Sequence, residues 1–136
     1  MNPTTLLIAS GISPEDVEAA LPEVDLRLVT VRPAPSWLTW LWGKAVSAMT
    51  LKKTVYIRSE VLDTAPSLLG PLLVHELVHV QQWKQLGVVR FLWKYVAGYI
   101  RGRLTGLPHQ DAYRAIPIEI EAREIAAQLQ GPVGPV

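Results

Sequence analysis

Segments with strand period stop at Arg58, and every long segment with helix period begins at Pro66 or later. This ordering constrains the fold more than any other feature, because strands followed by helices give an α+β layout and not alternating βαβ units. Thr54-Val55-Tyr56-Ile57-Arg58 is β-branched and alternating, so it reads as a strand. Val24 to Val31 also alternates, with Val24, Leu26 and Leu28 set against Asp25 and Arg27. Thr5 to Ala9 reads as a short buried strand. Ser13-Pro14-Glu15-Asp16 has the signature of a helix start, with Ser13 as N-cap and acids in the first turn. That helix is expected to end near Leu21, before Pro22. Arg32 to Ser36 carries two prolines and reads as a loop. Trp37 to Ala48 reads as a short helix packing its aromatics. Pro66 to Leu86, Val89 to Leu104 and Asp111 to Gln130 read as helices, the last with a bend or a fresh start at Pro117. The expected architecture is a small N-terminal sheet packed on these helices.

The 136 residues fit one compact domain, taken as 1–130, with 131–136 a flexible Gly/Pro tail. A net charge of +1, with basic residues scattered along the chain, gives no reason to expect nucleic acid as a partner. There are no cysteines, so disulfides, thiolate metal sites and a Cys nucleophile are excluded. Any metal must sit on imidazole and carboxylate. Leu6-Leu7-Ile8-Ala9 is too short for a signal sequence core, and no apolar run is long enough to span a bilayer, so a cytoplasmic location is expected. The tryptophans Trp37, Trp40, Trp42, Trp83 and Trp93 are expected in the core. Membrane association is not favoured, because only Lys44 adds a cation near the first cluster.

His75-Glu76-Leu77-Val78-His79 is an H-E-x-x-H pattern inside an apolar helical run. Residues four apart lie one above the other on a helix face, so both imidazoles can point at one metal ion. Glu76 flanks the same face and can act as a base without being a ligand. Two of the chain's three histidines enclose this glutamate. An apolar helix packed as core alone has no use for three such groups. A catalytic metal also needs a third protein ligand. His109 follows Pro108 in a loop and is the weaker candidate. The better ones are Glu119 and Glu121, which lie about 200° apart on a helix and so cannot both face inward. Helix periodicity alone leaves the two open.

The pairing of H-E-x-x-H with a downstream Pro117-x-Glu119-x-Glu121-Ala122-Arg123 segment resembles the gluzincin metallopeptidases. It is most similar to their minimal single-domain members, the minigluzincins. The resemblance covers about Ala48 to Gln130. It implies zinc on His75, His79 and Glu119, with Glu76 as general base. It also implies an edge strand from Met49 to Ile57 running above the metal, where an extended peptide or protein substrate would pair. The departure is Arg123, where the family often has an Asp that supports a ligating His. Oxyanion stabilisation falls to Tyr113, Tyr99 or His109, with Tyr113 first because it shares the ligand-bearing segment. The expected activity is zinc-dependent peptide hydrolysis. The alternative is an inactive or latent zinc-binding interaction module, in the latent form with residues 131–136 lying in the cleft.

Overall fold

A computed structural model describes residues 2–43, 46–64 and 66–130. The expected tail, 131–136, and Lys44 lie outside the described residues. The architecture is α+β. The chain runs α1 (Pro3–Ala9), α2 (Pro14–Ala20), β1 (Thr30–Pro33), α3 (Ser36–Trp42), β2 (Ala48–Leu51), β3 (Thr54–Ile57), α4 (Ser59–Leu62), α5 (Pro66–Leu104), α6 (His109–Arg114) and α7 (Pro117–Gln130). The sheet order is β1-β3-β2, with β1 parallel and β2 antiparallel to β3. Leu51 pairs with Thr54 across a tight turn at Lys52 and Lys53, which leaves β2 at an edge. The stretch expected to be one edge strand is therefore a hairpin whose first strand is the edge.

Two N-terminal expectations fail for local reasons. Thr5 to Ala9 belongs to helix α1. Asn2 caps it by accepting from the Thr4 amide at 2.8 Å, and Pro3 opens the first turn. A short apolar run does not distinguish strand from helix, and the cap decides it. Val24 to Val29 is turn and not strand. The Asp25 carboxylate accepts from the Arg27 amide at 3.0 Å, and the Asp25 carbonyl accepts from Leu28 at 2.9 Å. An aspartate folding its own backbone in this way ends the alternation, and Leu28 turns outward. The strand begins only at Thr30 and runs through part of the expected loop. The Ser13 cap of α2 and the fresh helix start at Pro117 are as expected.

The two central helices meet end to end. Their axis breaks at Gly87, whose φ of 76° and ψ of 169° are non-helical and suit glycine. The segment before the break is buried through Leu73, Val74, Leu77 and Val78, which pack with Val55 and Ile57 of β3 and with Leu7 of α1. Contact with α1 is close at Gly70, where an added Cβ would lie 2.4 Å from Ser10 Cβ. Ser10 Cβ moves only with its backbone, and the Ser10 hydroxyl is held by the Leu6 carbonyl at 2.7 Å. Gly70→Ala is therefore expected to destabilise the fold by about 1–3 kcal/mol through overpacking. The measurement is a urea titration, read as a lower midpoint at unchanged slope.

Among the tryptophans, Trp83 is buried and Trp42 half-buried, but Trp37, Trp40 and Trp93 are 65%, 81% and 73% exposed. The expectation that they pack the core is wrong for these three. Helix α3 buries Leu38 and leaves Trp37 and Trp40 outside.

Candidate metal centre

His75 and His79 sit one turn apart on the first half of α5, their rings 4.9 Å apart and edge-on. Glu119, in the first turn of α7, is buried between them. Its Oε2 lies 3.0 Å from His75 Nε2, and its Oε1 lies 3.2 Å from His79 Nε2. Four ligands at 2.0–2.1 Å around a tetrahedral ion stand about 3.3 Å from one another. Each nitrogen thus lies near the ligand–ligand spacing of a zinc ion from one oxygen of the Glu119 carboxylate. Ligand atoms of His75, Glu76 and His79 also fall within 4.8 Å of one another. The donor set of two imidazoles and a carboxylate fits Zn²⁺ and excludes nothing a divalent first-row ion needs.

The structure discriminates between the two glutamates. Glu119 reaches both imidazoles, whereas Glu121 accepts from Gln82 Nε2 at 3.0 Å on the other side of the helix. Gln82 is the unforeseen part of the centre. Its amide nitrogen donates to the Ile118 carbonyl and to Glu121, each at 3.0 Å, so its Oε1 must face His79 Nδ1, 2.7 Å away. An acceptor there requires His79 Nδ1 to carry a proton, which leaves Nε2 as the metal-binding atom when the ring is neutral. The acceptor that fixes His79 Nδ1 is therefore Gln82, not residue 123. Arg123, at the Asp position, donates instead to the Arg114 carbonyl at 2.6 Å and ties α7 to the end of α6.

Electrostatics follow from burial and pairing. Burial, the largest influence on Glu119, would raise its pKa, but the hydrogen bonds from His75 and His79 overcome it and hold the carboxyl well below its ordinary range. Burial also pulls His79 down. Its bond to Glu119 and the charges of Glu76 and Glu119 more than reverse this, raising it to about 9. Glu76 is buried, and burial raises its pKa against the lowering effect of the two histidines. Its Oε2 accepts a 2.7 Å bond from the Thr50 hydroxyl of β2, which fixes the carboxylate beside the ligands. Trp83 Nε1 in turn donates to the Thr50 carbonyl at 3.0 Å and holds β2 against α5.

A cavity of about 730 Å³ opens over the centre, lined by His75, Glu76, His109, Tyr113 and Ala48 of β2 among others. Tyr113 thus lines the same cavity as His75 and Glu76. Burial, followed by the charge of Glu119, pushes its pKa up, so it remains a hydroxyl donor. Tyr99 is bonded to His109 at 2.8 Å instead. Tyr95, on the second half of α5, donates to Glu119 Oε1 at 3.1 Å. Thr50, Gln82 and Tyr95 were all missed as site residues. Gln82 alone had a sequence signal, three residues after His79 on the same helix face. No protein-family model, curated protein or solved structure matches the chain.

Proposed function

We propose that this chain is a zinc-dependent hydrolase, a metallopeptidase of the gluzincin type. The observation that carries this reading is the convergence of His75 Nε2, His79 Nε2 and Glu119 beside Glu76, a buried carboxylate close to both histidines whose Oε2 accepts from Thr50. His75, His79 and Glu119 would hold the ion. When bound, it supplies Lewis acidity and a lowered pKa for coordinated water. Glu76 is the general base. Its raised pKa brings it closer to the working pH, where a group can both take a proton and return it to the leaving amine. Tyr113, held protonated in the cavity wall, donates to the developing oxyanion. Edge strand β2 borders the cavity at Ala48, away from the Thr50 carbonyl that Trp83 occupies, which favours an extended peptide pairing at that end of the strand.

The test is metal analysis of the purified protein together with cleavage of a mixed peptide library. Bound zinc near one equivalent is expected, with hydrolysis lost on chelation and restored by Zn²⁺. Cleavage that appears only after residues 131–136 are removed identifies a latent enzyme. Bound zinc without cleavage in either form identifies an inactive zinc-binding module, and absence of metal ends both readings.

A further inference from the structure

Beyond the Gly87 break, α5 presents three distinct faces. Phe91, Tyr95, Gly98 and Gly102 turn inward. Phe91 joins the second core cluster, and Gly98 and Gly102 let Pro117 and Ala112 approach to 3.0 Å of where a Cβ would stand. On the opposite side Val89, Leu92, Trp93, Val96, Ile100 and Leu104 form an apolar stripe, exposed by 80%, 47%, 73%, 50%, 49% and 83%. At 100° per residue these six fall within about 120° of the helix circumference, an arc that also holds the exposed Arg103. Arg90, Lys94 and Arg101 cluster along one margin of the stripe, and all three are exposed. Among the described residues none of them is in an ion pair. Lys94 and Arg101 flank Trp93 around a groove of about 380 Å³.

The charge pattern says what covers this stripe. Between Glu76 and Asp111 the chain carries Lys84, Arg90, Lys94, Arg101 and Arg103 and no acidic residue. An apolar face with an exposed tryptophan and a margin of three cations, with Glu121 of α7 lining the groove beside Lys94 and Arg101, is complementary to an anionic bilayer surface, where apolar side chains enter the acyl boundary and cations meet the headgroups. No helix among the described residues is long and apolar enough to cross a membrane. We propose that the second half of α5 lies in the interface of an anionic membrane and docks the domain there. Tyr95, on the helix face away from the lipid, reaches Glu119, so the docked helix is in direct contact with the candidate metal centre. The proposal does not depend on the metal or on hydrolysis.

Vesicle flotation of the full chain tests it, with phosphatidylcholine vesicles compared against vesicles containing about one third phosphatidylserine, a composition that imposes a negative surface potential. Binding to the anionic vesicles at low salt, at least tenfold above binding to the neutral ones, is expected, and it should fall as salt is raised. Trp93→Glu with Ile100→Glu should abolish flotation at unchanged circular dichroism. Lys94→Gln with Arg101→Gln should weaken it roughly 25-fold, at about fivefold per cation. Glu76→Gln should float like the wild type, which separates failure of this proposal from failure of the hydrolase reading. Wild-type protein that stays unbound on anionic vesicles overturns the proposal, as does binding indifferent to lipid charge and salt. A dimer in light scattering that the Trp93→Glu, Ile100→Glu variant dissociates, with no flotation, would show that a second copy covers the stripe.

Discussion

Glu76→Gln is expected to retain a full equivalent of metal while lowering peptide hydrolysis by about 10²–10⁴-fold. The substitution keeps the shape and keeps an oxygen for the 2.7 Å bond from Thr50. In the proposed mechanism it removes the group that accepts a proton from the attacking water. Burial already penalises the charge on Glu76, so a neutral amide costs the fold nothing on that account. Thermal stability should therefore be unchanged or slightly higher. The decisive pairing is kcat/KM and metal content measured on one preparation. Activity within tenfold of wild type at equal metal would remove Glu76 from the mechanism, and loss of metal would make it a ligand.

Glu119→Ala is expected to act on binding first. Structural zinc sites are worth about 10–16 kcal/mol over four ligands, so deleting one ligand should cost about 3 kcal/mol, or more than a hundredfold in affinity. The same change leaves His75, His79 and the Tyr95 hydroxyl facing an empty position, each having lost a hydrogen-bond partner. Competition titration with a chromophoric zinc chelator measures the loss. Gln82→Ala and Glu121→Ala provide the contrast. Gln82 fixes His79 through one 2.7 Å bond, and loss of such a support weakens metal binding about 10–100-fold. Glu121 acts only through Gln82, which keeps its bond to the Ile118 carbonyl, so its removal should cost less again. Equal losses for Glu119→Ala and Glu121→Ala would contradict the arrangement of α7 against α5.

How far the sequence could be read depended on how far apart in the chain the cooperating residues lie. His75 and His79 converge because one helical turn brings them together, and four apolar neighbours inside a long periodic run define that helix. The Ser13 cap and the break at Pro117 are equally local, and both were legible. Thr5 to Ala9 and Val24 to Val29 were misread although they too are local. There a single side chain, Asn2 in one case and Asp25 in the other, captured a backbone amide and outweighed the apolar pattern.

The sequence by itself determined an α+β chain with two imidazoles and a carboxylate on one helix face, since helix geometry is set within a few residues. Tertiary structure decided which glutamate meets the histidines, because Glu119 is buried against both imidazoles while Glu121 is exposed and bonds Gln82. It also decided that Gln82 and not residue 123 supports His79, that Thr50 of β2 steadies Glu76, and that Trp93 faces outward. Each of these rests on contacts between segments distant along the chain, and apolar periodicity says that a face is apolar without saying what it meets.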